Sequence, residues 1–197
     1  MAALPIEPAL GLLELESIAA GIEVGDAMAK RAPVELLRAG TVHPGKYLVL
    51  VGGAVADVEE ALEAGREIGG LSVRDVTFLA NIHPHVVEGV RGLRRTAQAE
   101  ALGVIETATI PALIRAADAG LKGAAVGLLE LHLADDLGGK GYLLFDGTVT
   151  DVEAAVEIGV DAVGGSRGTH ARIIAQLHPE MAAELAADGR FAVRVRQ

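Results

Sequence analysis

The chain has 197 residues, a formal net charge of −10 and no block of Lys and Arg, which argues against a nucleic-acid partner. It contains no cysteine, so a disulfide, a thiol nucleophile and a cysteine-bound iron–sulfur cluster are excluded. No apolar run reaches the roughly 18 residues of a membrane span, and no signal-peptide pattern follows Met1. We therefore expect a cytosolic protein with no membrane partner.

The first half of the chain predicts the order strand, helix, strand, strand, helix, strand. Ser17 is a good helix N-cap, and Pro33 ends the helix that follows it. His43-Pro44-Gly45-Lys46 predicts a turn between two strands. The predicted elements are strand 9–16, helix 18–32, strands 34–42 and 47–51, helix 55–68, strand 73–82 and a short helical tail that His83-Pro84 opens.

The second half repeats the first, because the pattern that begins at Gly11 begins again at Gly103. Thr109 replaces Ser17 as the cap, Thr148 begins the second helix, and His178-Pro179 repeats His83-Pro84. The predicted elements are strand 101–108, helix 110–124, strands 126–133 and 141–145, a helix from 148 and strand 170–177, with a turn at 135–140.

This duplication predicts an α+β protein of two tandem domains, each a mostly antiparallel sheet with helices on one face. We assign residues 9–90 to the first domain, 91–100 to a linker, 101–187 to the second domain and 188–197 to a C-terminal tail. Each domain is near the lower end of the size range in which a single core stabilises itself.

The repeated segments resemble one family. "ALGLLELESIAAGIEVGDAMAKRA" and "EALGVIETATIPALIRAADAGLKGA" are similar to the opening of bacterial microcompartment shell domains, which are related to ferredoxin-like folds. "DVEAAVEIG" resembles the second helix of that domain, and the repeated His-Pro resembles its closing motif. Both halves show the motifs in unpermuted order.

The resemblance implies a structural shell protein and not an enzyme. It implies a homotrimer whose six domains form a pseudohexagonal tile, in the microcompartment shell of a bacterial cytoplasm. The expected partners are other copies of the chain, other hexameric, trimeric and pentameric shell proteins, and metabolites that cross a central pore. It implies no cofactor.

The turn between the second and third strands lines the pore in this family. The resemblance assigns that role to Val42, His43, Pro44, Gly45 and Lys46 in the first domain and to Asp136, Leu137, Gly138, Gly139 and Lys140 in the second. Glycines let backbones approach a symmetry axis closely. An ordinary exposed turn is the alternative. We expect passage of small polar or anionic metabolites, attracted by Lys46 and Lys140 and opposed by Asp135 and Asp136.

The resemblance also assigns residues to the tile edge. Lys30 and Lys122 occupy equivalent positions in Asp-x-x-x-Lys segments, for which an exposed i,i+4 ion pair is the alternative. The family's Pro-Arg-Pro-His motif is replaced at 80–83 and 175–178, where Asn81 and Gln176 stand at the arginine position. His83 and His178 remain, and we favour a capping or packing role for them over metal binding.

No catalytic motif is recognised, and three other interpretations stay open. Three copies of His43 around an axis could bind a metal, although a solvated histidine is commoner and we assign no metal site. Glu14 and Glu106 lie inside apolar strands, as candidate acids of an enzyme or as acceptors of backbone hydrogen bonds. The alternative function is a small-molecule-binding regulatory trimer of ferredoxin-like domains.

Overall fold

The computed structural model describes residues 8–97, 100–164 and 168–187. The predicted tail 188–197 and residues 98–99 of the predicted linker lie outside these ranges. The elements are β1 (Ala9–Leu15), α1 (Ile18–Arg31), β2 (Leu36–Val42), β3 (Lys46–Gly53), α2 (Val55–Gly69), β4 (Val73–Leu79), α3 (Pro84–Val90), β5 (Ala101–Thr107), α4 (Ile110–Gly123), β6 (Gly127–His132), β7 (Gly141–Gly147), α5 (Val149–Ala162), β8 (His170–Ile174) and α6 (Pro179–Ala186).

Each half of the chain forms its own four-stranded antiparallel sheet. The strand orders are β2-β3-β1-β4 and β6-β7-β5-β8, so the two topologies are identical. The registers also correspond, because Gly11 lies opposite Val51 and Phe78, and Gly103 lies opposite Phe145 and Ile173. The predicted α+β fold class and the internal repeat are confirmed.

The predicted helix signals also hold. The Ser17 hydroxyl accepts a hydrogen bond from the Ala20 N–H, and the Thr109 hydroxyl accepts one from the Ala112 N–H. Both bonds satisfy N–H groups that have no partner inside the helix. A short helix follows each His-Pro pair, as the sequence predicts.

Three predicted strands extend too far by two or more residues at one end. The structure begins β2 at Leu36, not at residue 34, and ends β4 at Leu79 and β8 at Ile174. Beyond β4, the Ile82 N–H bonds to the Pro8 carbonyl, and beyond β8, the Leu177 N–H bonds to the Glu100 carbonyl. The chain therefore leaves the sheet while its residues are still apolar, which periodicity alone does not detect.

The two faces of each sheet have different roles. In β1, the side chains of Ala9, Leu13 and Leu15 join the core between the first sheet and its helices α1 and α2. The alternate side chains, Leu10 and Leu12, belong to a cluster shared with the second domain. We call the sheet face opposite a domain's own two long helices its open face; α4 covers the open face of the first sheet.

Candidate functional site

The β2–β3 turn of the first domain and the β6–β7 turn of the second domain lie against each other. Gly139 is buried at this contact with a φ of 82°. A Cβ atom added to Gly139 would lie 2.8 Å from the His43 carbonyl oxygen and 2.8 Å from Pro44 Cδ. Only a residue without a side chain allows this approach. The tertiary structure therefore brings the two predicted pore turns together in one chain.

The tips of both turns remain exposed around this contact. His43, Pro44 and Gly45 are exposed, as are Asp136 and Gly138. Gly45 and Gly138 have φ angles of 91° and 63°, which suit glycine. The Gly45 N–H closes its own turn by donating to the Val42 carbonyl at 3.0 Å. Whether the turns line a pore remains a prediction, since it depends on other copies of the chain.

Lys46 differs from what its sequence position suggested. Its side chain is only 8% exposed, and its Nζ atom lies 2.7 Å from Oε1 of Glu14, whose side chain is fully buried. The other carboxylate oxygen of Glu14 accepts a 2.7 Å hydrogen bond from the Ile110 N–H, at the start of α4. The expectation that Lys46 provides a free positive charge is wrong, because this carboxylate neutralises it. The expectation that Glu14 accepts a backbone hydrogen bond is confirmed.

Lys140 and Glu106 form the equivalent pair in the second domain. The Lys140 Nζ atom lies 2.7 Å from Glu106 Oε1, yet the two side chains are 56% and 36% exposed. In the first domain, the start of α4 covers the equivalent pair. The same Lys–Glu pair is therefore present in both domains, but it is buried only in the first.

Part of the predicted edge set forms a cluster at the boundary between the domains. The Lys122 Nζ atom donates to the Asn81 carbonyl and to Asp118 Oδ2, at 2.5 Å each. Asp118 Oδ1 also accepts a 2.8 Å bond from the His83 N–H. The bond to Lys122 uses the backbone carbonyl of Asn81 and not its side-chain amide.

Both predicted histidines cap helices. His83 Nδ1 accepts from the His85 N–H at 3.2 Å, and His178 Nδ1 accepts from the Glu180 N–H at 3.3 Å. The capping role that we favoured for them is confirmed. Burial, with a smaller contribution from His85, lowers the pKa of His83 below its usual value.

The other edge residues lie on exposed surface. Lys30 pairs with Asp26 at 2.5 Å on α1, with both side chains more than half exposed. This is the i,i+4 geometry of the alternative interpretation. Gln176 is also exposed. An edge role for Lys30, Gln176 and His178 remains a prediction.

The residues that join the domains were not among those predicted from the sequence. Arg115 of α4 bonds to both carboxylate oxygens of Asp75 in β4, at 3.2–3.3 Å. Ile110 and Ile114 of the same helix are each 1% exposed. The repeat itself was the available signal, because the α1 equivalents of these residues repeat the isoleucines and replace the arginine with Glu23.

The part of the chain that the structure describes contains neither a cluster of metal ligands nor a membrane-spanning helix. No group of three or more His, Asp or Glu side chains could hold a metal ion within residues 8–97, 100–164 and 168–187. Within the same ranges, no helix combines the length and the apolar character needed to cross a membrane.

The BMC domain model matches residues 9–82 and 101–177, which are the two sheets and the helices between their strands. The chain belongs to the BMC domain family, and it is a bacterial microcompartment shell protein. Proteins of this family assemble with other shell proteins. Two relatives described below are a shell protein and a carboxysome assembly protein by name.

Relatives resemble both domains. The bacterial microcompartment shell protein PduT of Citrobacter freundii is 41% identical over 79% of this chain and 85% of its own length. The carboxysome assembly protein CcmO of Synechocystis is 32% identical over 86% of this chain but only 61% of its own length. A crystal structure of a microcompartment protein from Desulfitobacterium hafniense, 38% identical, has a TM-score of 0.76 and covers 89% of this chain and 98% of its own.

Proposed function

We propose that three copies of this shell protein close into a six-domain tile with a pore at its centre. The tile would form part of a microcompartment shell in the bacterial cytoplasm, together with hexameric, trimeric and pentameric shell proteins. The paired turns around Gly139 would line the pore. The observation that supports the proposal best is the contact between α4 and the first sheet. Both of its surfaces have equivalents that this contact does not use, namely α1 and the partly covered open face of the second sheet.

The first of these equivalent surfaces is the exposed side of α1. Ile18 and Ile22 are 40% and 58% exposed, whereas their equivalents in α4, Ile110 and Ile114, are buried against the first sheet. Two isoleucines one helical turn apart form an apolar stripe that a soluble chain rarely leaves in water. The stripe on α1 therefore has the shape and chemistry to dock as α4 does.

The second of these surfaces is the open face of the second sheet. A groove of about 510 Å³ lies there, between the sheet residues Leu102, Val104, Tyr142, Leu144 and Ile174 and the α6 residues Met181 and Leu185. Leu102 and Leu144 are buried at its floor, so α6 covers part of this face. The equivalent strands of the first sheet provide Leu10, Leu12, Leu48, Leu50 and Leu79, which pack in the cluster that includes Ile110 and Ile114. An α1 helix from another copy would fill this groove.

These two surfaces are different, so the contact between copies is head to tail. Such contacts produce closed rings or open fibres, depending on whether the rotation closes. If each step between domains repeats the step inside the chain with six-fold closure, three chains complete the ring. The turns at Gly139 would then alternate around its axis.

The charges at the turns favour small polar solutes. Lys46 is neutralised by Glu14, and Lys140 is paired with Glu106. Asp135 and Asp136 are exposed beside them. Because both lysines are paired, they do not attract anions as free lysines would. We therefore propose an opening lined by backbone groups and carboxylates.

A non-enzymatic role is part of the same proposal. Glu14 was a candidate acid, but its carboxylate is occupied by Lys46 and the Ile110 N–H. A regulatory trimer that binds a small molecule is the alternative function. Electron microscopy of the purified protein separates the two, since a tile forms sheets or hexagonal arrays and a regulator remains as discrete trimers.

The test of the ring is a pair of matched variants in sedimentation-velocity experiments. Ile22→Arg introduces a charge into the proposed contact, and Ile68→Arg introduces one at an exposed isoleucine of α2. We expect the wild type and Ile68→Arg to sediment as trimers and Ile22→Arg as a monomer. A wild type that remains a monomer at every concentration contradicts the proposal.

A further inference from the structure

The charged contact between the two domains of one chain has a clear polarity. The sheet provides the acid, Asp75, and the covering helix provides the base, Arg115. The Arg115 guanidinium also donates to the Val76 carbonyl at 2.6 Å, and the Thr109 hydroxyl donates to Asp75 at 2.5 Å. An ion pair with added hydrogen bonds, less than one-third exposed on both sides, orients a helix on a sheet.

At the equivalent positions of α1 and the second sheet, the helix provides the acid, Glu23, and the sheet provides His170. Glu14 lies opposite Asp75 in the first sheet, and its equivalent Glu106 lies opposite His170 in the second. His170 therefore occupies the place of Asp75, and it is exposed. On the helix, Glu23 of α1 occupies the place of Arg115 and is also exposed.

A second position on β4 and β8, two residues further along each strand, also differs in charge between the two sheets. Leu12 lies opposite Thr77, and Val104 lies opposite Arg172. Thr77 is buried under the second domain, whereas Arg172 is exposed on the open face. The open face of the second sheet thus presents a histidine and an arginine where the first presents an aspartate and a threonine.

We infer that Glu23 of one copy pairs with His170 and Arg172 of the next copy, and that these charges determine which helix docks on which sheet. The occupant of the second open face is then the α1 helix of another copy. This inference rests on the proposed ring. It adds that the contact between copies is selected by a reversed charge pair and not by apolar complementarity alone.

The reversal matters because the apolar side chains of α1 and α4 do not determine which of the two sheets each helix docks on. Both present isoleucines at equivalent positions, so either could fill either groove. Arg115 facing Arg172 would place two guanidinium groups together, and Glu23 facing Asp75 would place two carboxylates together. Like charges at an interface oppose the wrong partner. The charges therefore favour alternation of first and second domains around the ring.

The experiment compares trimer dissociation constants in sedimentation equilibrium. Glu23→Arg reverses the helix charge; Glu23→Arg with His170→Asp and Arg172→Thr copies the internal contact. We expect the single change to weaken association at least about ten-fold and the triple change to restore most of it, because close charge pairs across interfaces have coupling energies of about 1.5 kcal/mol or more. Glu59→Arg, at an exposed position of α2, is the control for net charge.

The possible outcomes separate this inference from the proposed ring. If the wild type forms trimers and Glu23→Arg associates as tightly, the charge pair is overturned while the ring stands. A triple variant no tighter than Glu23→Arg also overturns it, provided that circular dichroism shows the same thermal unfolding for both. If the wild type forms no trimer, the ring itself fails. Weakening by Glu59→Arg equal to that by Glu23→Arg would reduce the effect to net charge and overturn the inference.

Discussion

The open faces of the two sheets have the same strand order but different surroundings. On the first, the second domain covers the apolar strands and the Glu14–Lys46 pair, whereas on the second the Glu106–Lys140 pair remains partly exposed. The apolar residue types are nearly the same, so they do not explain the difference. What differs is the docked helix, because α4 lies on the first open face whereas α6 covers only part of the second.

The largest expected effect comes from the buried pair on the covered face. Glu14→Ala leaves Lys46 buried without a counter-ion, which costs about 3–5 kcal/mol of unfolding free energy. Glu106→Ala, at the exposed equivalent, should cost less than about 1 kcal/mol in a variant kept monomeric by Ile22→Arg. Urea denaturation of both measures the difference. Equal losses would mean that the two faces are not differently covered.

The contact between the turns gives the next effect. Gly139→Ala places a Cβ against the His43 carbonyl and at positive φ, so we expect a loss of about 2–4 kcal/mol. Gly138→Ala is the matched control, because its φ is also positive but no atom lies within 4 Å of the added Cβ. It should cost about 1–2 kcal/mol. Thermal denaturation compares them, and similar losses would argue against a tight contact.

The His83 cap, at the boundary between the domains, should make stability depend on pH. Because the folded state lowers the pKa of His83, the unfolded chain binds the proton more readily. The stability that the neutral ring provides is complete above pH of about 6.5 and falls as the pH drops below that value. His83→Asn keeps a cap acceptor without titrating. Its unfolding free energy should depend less on pH between about 5 and 7 than that of the wild type; an unchanged slope contradicts the assignment.

The smallest effect is expected at Thr77, which lies on the covered face. Its equivalent in the second sheet, Arg172, is exposed. The Thr77 hydroxyl is buried and has no hydrogen-bond partner among the described residues. Thr77→Val removes an unsatisfied polar group of nearly the same shape, so stability should stay constant or rise by up to about 1 kcal/mol. A loss greater than that, measured by urea denaturation, would reveal a bond formed by this hydroxyl.

Much of the fold was predictable because it depends on local signals. The Ser17 and Thr109 caps, the His-Pro helix starts and the duplicated order are each visible within a few residues of sequence. The ends of β4 and β8 were not, since the residues that follow are as apolar as the strands themselves. Of the candidate site, the turns were found by resemblance, but the burial of Lys46 was not, because a turn lysine is usually solvated.

The sequence by itself determined the repeat, the α+β domain and the family, since these follow from periodicity, caps and motifs along the chain. Only the tertiary structure decided which face of each sheet is covered. That choice depends on contacts between residues about 30 to 100 positions apart, such as Glu14 with Lys46 and with Ile110. Equivalent residues in the two halves therefore acquire different roles, because one copy of the helix docks inside the chain and the other remains free to dock outside it.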